Sequence, residues 1–237
     1  MQTTELDPTL SETLDRAGKA GLTLVIGNKN YSTWSMRPWV AMTAFNIPFK
    51  EVRIPLDTPD TASLIAKFSA SGRVPLLLAG ETVIWDSLAI CEYLAEQFRE
   101  KNMWPLDVVK RAHARSICAE MHAGFNDLRQ AMWMNIRANF HGKGRTPGAQ
   151  GDIGRVCEIW EDCMAESGPN DFLFGDFSIA DAYYAPVVMR FRTYGVSLAP
   201  ALQAYADRVA AHPAVALWIA GALAETETAP RYDIYPG

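Results

Sequence analysis

The sequence predicts an α/β domain followed by an all-helical one. Short apolar runs of strand character occupy 22–27, 49–54, 74–78 and 82–85, and they stop near Lys101. Beyond Asp107 only helical spacing remains, with apolar residues recurring at three and four positions. Strands interleaved with helices, then helices alone, describe two packed units: 21–101 and 107–228.

The first run ends in Gly-Asn and reads as a buried strand entering a loop. Ser35 is placed to cap a helix to about Asn46, with Pro38 in its first turn, where amides have no intrahelical partner. Met36, Val40 and Ala44 then share one face. After the strand at 49–54, Thr58-Pro59 reads as cap and first helical residue of a second helix, ending near Phe68. The runs at 74–78 and 82–85 meet at Ala79-Gly80, close enough for a hairpin. Asp86 or Ser87 caps a third helix with Ile90, Leu94 and Phe98 inward. The order is β-α-β-α-β-β-α.

In the second unit, Asp107 opens a long helix carrying Ala114, Ile117, Met121, Leu128 and Met132 on one stripe. Residues 141–151 hold five glycines and prolines and read as a loop. Ile153, Val156, Trp160 and Cys163 mark the next helix. Ser178 to Asp181 has the spacing of a capping box, with Asp in place of the usual Glu. Leu202, Tyr205 and Val209, then Val215, Trp218 and Ile219, mark two more helices parted by His212-Pro213. Residues 1–20, with Leu6, Leu10 and Leu14, read as a short amphipathic helix or a frayed extension.

Composition removes several function classes. The formal charge is −5, unsuited to a nucleic-acid backbone. No run approaches the ~18 apolar residues of a membrane span, and residues 1–20 are acidic without an apolar core, so no secretory signal is read and a cytoplasmic protein is expected. Cys91, Cys118, Cys157 and Cys163 form no Cys-x-x-Cys pair and the histidines are scattered, so no metal site is expected and the thiols are read as free and buried or half-buried.

The chemistry concentrates after the first strand, in Asn30-Tyr31-Ser32-Thr33-Trp34-Ser35-Met36-Arg37-Pro38. Hydroxyls, not cysteines, occupy this helix entrance. A hydroxyl cannot exchange disulfides but can donate a hydrogen bond to another molecule's thiolate. Two further motifs offer polar groups to a peptide. An exposed backbone edge at Val74-Pro75 offers one rung of β-pairing. Asp86-Ser87 at a helix N-terminus offers amides and a hydroxyl to a carboxylate and an acid to an ammonium, although an ordinary cap has the same residues.

With Arg73-Val74-Pro75-Leu76, Asp86-Ser87-Leu88-Ala89-Ile90 and the 175–181 segment Gly-Asp-Phe-Ser-Ile-Ala-Asp in this order, the chain resembles the cytosolic glutathione transferases over about 22–225. The resemblance implies a thioredoxin-like first domain, a cis peptide before Pro75, glutathione as co-substrate, a role in detoxification, and a homodimer. It implies that Val74 pairs with the cysteinyl part of glutathione and that Asp86 and Ser87 grip the γ-glutamyl part. Aligning Arg37 on the serine-type classes, zeta and theta, makes Ser32 the thiol-activating residue, the choice that the Ser-x-x-Ser-x-Arg pattern favours; aligning it on the tyrosine-type classes makes it Tyr31, the alternative. Trp34 stands where zeta-like members have Cys.

The energetics permit a single hydroxyl. Lowering a thiol of pKa ~8.5 by ~2 units needs ~2.7 kcal/mol, against ~1.5–3 kcal/mol from a hydrogen bond to a charged group and ~0.3–1 kcal/mol from a helix N-terminus. Arg37, Arg73 and Lys67 are candidates for the glycine carboxylate. Trp34, Met121, Met132, Trp133 and Tyr184 are candidates for the wall of an electrophile pocket between the domains, and His122 receives no role. The thiolate either conjugates an electrophile, or adds to a cis-enone and is expelled, which is isomerisation. A glutathione-binding protein without catalysis would keep the peptide-gripping motifs alone.

Overall fold

The computed structural model describes residues 21–167 and 171–235, so the expectation for residues 1–20 lies outside the described residues. A four-stranded sheet has the order β2-β1-β3-β4, from β1 (Leu22–Ile26), β2 (Phe49–Arg53), β3 (Leu76–Ala79) and β4 (Thr82–Trp85). β1 runs parallel to β2 and antiparallel to β3, and β3–β4 is a hairpin with Leu76 opposite Trp85. Three helices join these strands: α1 (Thr33–Ala44), α2 (Thr61–Ala66) and α3 (Ser87–Gln97). The expected order of elements is the one observed.

Both faces of β1 are covered, which is why it reads as an unbroken apolar run. Val25 packs with Ile54, Ile65, Phe68 and Leu76 beneath α2. Leu24 and Ile26 point the other way, into a larger core shared with α1, α3 and the helical domain. That second domain comprises α4 (Val108–Ala123), α5 (Asn126–Ala131), α6 (Pro147–Ser167), α7 (Ile179–Tyr194), α8 (Pro200–Ala211) and α9 (Pro213–Ala224). α1 lies between the sheet and the helices α7 and α9, and nine of its residues are buried.

Several boundaries differ from the sequence reading, each for a local reason. The cap of α1 is Ser32, not Ser35, so Pro38 lies beyond the first turn and the Trp34 carbonyl lacks its i+4 amide. Thr58-Pro59 precedes α2 without starting it; Thr58 Oγ1 pairs with Thr61 Oγ1 at 3.0 Å, and the cap position is Asp60. The long helix from Asp107 is broken at Gly124, after which Phe125 takes a φ of 59°, and α5 sets off anew. The 141–151 segment is only partly loop, because Pro147 opens α6 at the position where proline costs nothing. Gly148 is needed there: a Cβ would lie 2.5 Å from the Asp127 side chain of α5.

The capping box at the head of α7 anchors the helical core. The Asp181 carboxylate, fully buried, accepts from Leu173 N, Ser178 N, Ser178 Oγ and Tyr205 Oη at 2.9–3.1 Å. Burial nonetheless holds its pKa up at about 6. Asp181→Ala strands these donors, and each unsatisfied buried group costs ~1–3 kcal/mol, so a loss of at least ~3 kcal/mol is expected in urea unfolding. A loss below ~1 kcal/mol would contradict this role.

Candidate active site

The turn between β1 and α1 is a polar loop held inside the protein, and hydrogen bonds tie it down at several points. The Asn28 carbonyl accepts the amides of Tyr31 and Ser32, and Asn28 Oδ1 accepts Leu56 N at 2.7 Å. Asn30 reaches the helical domain: its Nδ2 donates to Asn135 Oδ1 at 2.8 Å and its Oδ1 accepts Arg137 N at 2.9 Å. The amides of Lys29 and Asn30 both donate to the Glu225 carboxylate at the start of the C-terminal segment. The loop is thereby fastened to both domains.

The two hydroxyl candidates have different surroundings. Tyr31 Oη donates to Asp233 at 3.1 Å and accepts from Arg137 Nη2 and Ala229 N at 3.2 and 3.3 Å. A phenol has one proton and two lone pairs, so all its hydrogen-bonding capacity is used. The ring of Tyr232 stacks on it at 5.5 Å. Tyr31 and Ser32 both line a cleft of about 810 Å³, where Ser32 caps α1 with its Oγ 2.7 Å from Ser35 Oγ. That volume is ample for a tripeptide end and a small second substrate.

Most of the sequence-selected residues meet around this cleft. Arg73, Val74 and Pro75 form one side, the Val74-Pro75 peptide being cis as expected. Trp34, Asp86 and Ser87 form another. Asp86 has a φ of 78°, a conformation that costs a non-glycine residue energy and is found most often at functional sites. Its Oδ1 caps Leu88 N at 2.8 Å, and its Oδ2 faces His122 Nε2 at 3.1 Å. Burial lowers the His122 pKa, with Arg37 and Arg129 adding to the effect and Asp86 opposing it.

Arg37 does not reach the cleft surface. Its guanidinium is sandwiched 4.4 Å from the rings of both Trp34 and Tyr183 and donates to Ser87 Oγ at 3.3 Å. Ser87 Oγ also meets Tyr183 Oη at 3.0 Å, which lies 3.4 Å from His122 Nδ1. Among the described residues Arg37 has no carboxylate partner, and its Nε has no hydrogen-bond partner. Burial lowers its pKa. A buried cation compensated only by rings and hydroxyls thus stands behind Ser87 and Trp34.

The electrophile-pocket candidates divide. Trp133 lines the cleft, 4.9 Å from Tyr232. Met121 and Tyr184 do not: Met121 is buried in the helical core, and Tyr184 packs on Trp160 and donates to the Ile117 carbonyl. Met132 is buried as well, and Lys67 is exposed outside the cleft. Neighbouring Tyr183, one step of roughly 100° around α7, is fully buried too, but its hydroxyl meets Ser87 and His122, which line the cleft.

Sequence reasoning missed the cleft's positive wall. Arg129, its guanidinium 4.8 Å from the Trp34 ring, and Arg190, which donates to the Met132 carbonyl at 2.6 Å, join Arg73 and Arg231 there. Burial lowers Arg129 and Arg190 to pKa values of about 10 and about 9, so both keep their charge at neutral pH. Among the residues lining the cleft, Asp86 is the one carboxylate. No helical period separates such arginines from surface ones; only their burial does.

Comparisons with known proteins identify the family and the fold. Residues 31–97 match the family model for the glutathione S-transferase N-terminal domain, and residues 114–221 match that for its C-terminal domain. A maleylacetoacetate isomerase of Pseudomonas aeruginosa is 30% identical over 149 residues, covering 60% of this chain and 69% of the relative. A probable maleylacetoacetate isomerase of Caenorhabditis elegans is 25% identical over 178 residues, covering 72% and 81%. The crystal structure of a Burkholderia glutathione transferase homologue with bound glutathione superposes with a TM-score of 0.67 at 22% identity, covering 86% of this chain and all of that one. The chain therefore has the thioredoxin-like transferase fold and belongs to the glutathione S-transferase family.

Proposed function

We propose that the protein binds glutathione in this cleft, holds its sulfur as a thiolate with Ser32, and directs it at a small electrophile on the arginine-lined side. The single observation that carries the choice of Ser32 is the saturation of Tyr31: its hydroxyl has no proton or lone pair left for a ligand. In this reading Val74 pairs with the cysteinyl backbone. The γ-glutamyl carboxylate meets Ser87 and the N-terminus of α3, and its ammonium meets Asp86. Arg37 contributes a fixed positive charge behind the carboxylate, and Arg73 and Arg231 suit the glycine carboxylate at the mouth.

The chemistry follows from proximity and charge. Ser32 Oγ–H and the head of α1 favour the thiolate. The electrophile is held alongside, so attack is effectively intramolecular. A second outcome of the same addition is isomerisation of a cis-enone, with glutathione released unchanged. The charged wall favours acidic electrophiles for either outcome, and relatives named maleylacetoacetate isomerase accord with that. We place the protein in the cytoplasm, where the thiols of Cys91 and Cys118, held protonated by full burial, suit a reducing medium. A homodimer is part of the reading; exposed Leu106, Val108 and Val109 at the head of α4 offer apolar surface to a second copy.

Three outcomes follow. Thiolate absorbance of bound glutathione, followed across pH, is expected to shift upward by about 1–2 pKa units in Ser32→Ala. Tyr31→Phe should leave the thiol pKa in place and cost ~1 kcal/mol in urea unfolding; the reverse pattern would assign the thiol to Tyr31. Arg37→Met replaces an unpaired buried cation with an apolar chain, so stability should hold within ~1 kcal/mol while glutathione affinity falls about tenfold by calorimetry. A large loss of stability with unchanged affinity would make Arg37 purely structural. Finally, a cis-enone carrying a carboxylate should show a KM at least several-fold lower than its neutral amide; equal values would remove the charged wall from substrate choice.

A further inference from the structure

Ser35 is fully buried within the first turn of α1 and is absent from the cleft wall. Its Oγ accepts the Gly27 N–H at 3.1 Å and the Ser32 hydroxyl proton at 2.7 Å. Its own amide points back at Ser32 Oγ at 3.4 Å. The Ser32 proton is therefore directed inward, away from any ligand in the cleft. To hydrogen-bond a sulfur it must rotate outward, and Ser35 then faces a Ser32 oxygen that has a free lone pair.

We propose that Ser35 is the positioning residue of the thiolate site, acting through Ser32 by reversal of their hydrogen bond. With sulfur in place, Ser35 Oγ–H donates to Ser32 Oγ while Ser32 Oγ–H donates to the thiolate. Two hydroxyl rotors turn, each keeps its own proton, and no covalent bond changes. The Gly27 N–H occupies an acceptor site on Ser35 in both arrangements, which keeps that oxygen in place while its proton swings toward Ser32. A hydroxyl that accepts a hydrogen bond becomes the stronger donor, so the chain Gly27–Ser35–Ser32 polarises the last proton toward sulfur. Burial of Ser35 keeps water from substituting for it. The inference rests on Ser32 being the thiolate partner.

The test separates a role in ionisation from a role in folding or binding. The pKa of bound glutathione is measured by thiolate absorbance in wild type, Ser35→Ala, Ser35→Thr, Ser32→Ala and the double alanine variant. Affinity for S-methylglutathione, which has no thiol to ionise, is measured in parallel. The titratable and charged groups around Trp34 and His122, namely Asp86, His122, Arg37 and Arg129, are common to all variants. Ser35→Ala is expected to raise the bound-thiol pKa by roughly half a unit to one unit, with S-methylglutathione affinity changed less than twofold. Ser35→Thr should restore the pKa, and the double variant should match Ser32→Ala. An unshifted pKa in Ser35→Ala beside a shifted one in Ser32→Ala overturns the relay and leaves the Ser32 reading standing. Equal losses for glutathione and S-methylglutathione make Ser35 a structural support of Gly27 and overturn it too. If Ser32→Ala shifts nothing, both readings fail together.

Discussion

The burial of one polar loop constrains the rest of the structure. Residues 27–32 leave the sheet, turn, and enter α1 at the point where the two domains meet, so their backbone groups cannot rely on water. Asn28 satisfies the segment after β2, Asn30 binds Asn135 and Arg137 in the helical domain, and Glu225 takes two loop amides from the C-terminal side. Trp218 Nε1 donates to the Lys29 carbonyl from α9. The helical domain is thus a structural requirement of the loop and not an appendage to it. Neither domain alone would hold Ser32 at the cleft wall and Tyr31 against the tail.

The same packing sets the electrostatics. Arg37 is buried between two rings with hydroxyl partners but no acid, an arrangement that is costly in isolation and favourable to an anion arriving nearby. The chain Arg37–Ser87–Tyr183–His122–Asp86 links both domains beneath the expected γ-glutamyl position, so the charges are oriented before any ligand enters. Preorganised donors of this kind cost no reorganisation during reaction. Arg129 and Arg190 extend the positive field to the opposite wall.

Much of this was legible because it depends on local chemistry. The order of elements along the chain followed from run length and turn residues, a cap at Asp86 or Ser87 and the α7 capping box from local spacing, and the cis peptide from the family resemblance. What was not legible depends on contacts distant in sequence. Trp34 and Arg37 stood in plain view, but that Arg37 turns inward is decided by Tyr183, on a helix of the other domain. Which of Tyr183 and Tyr184 reaches the residues behind the cleft is a matter of helix phase, and no apolar stripe resolves it because nearly every residue of α7 is buried. The break at Gly124 and Phe125 hides inside a plausible periodic pattern. The saturation of the Tyr31 hydroxyl depends on Asp233, 202 residues later in the chain.

The central claim is that the closed junction presents Ser32, and not Tyr31, to the sulfur of glutathione. A crystal structure of the glutathione complex tests it most directly. The account predicts the sulfur within ~3.5 Å of Ser32 Oγ, the γ-glutamyl group over Asp86 and Ser87, and the Tyr31–Asp233 hydrogen bond unbroken. A sulfur resting on the Tyr31 hydroxyl, with the C-terminal segment displaced, would contradict it.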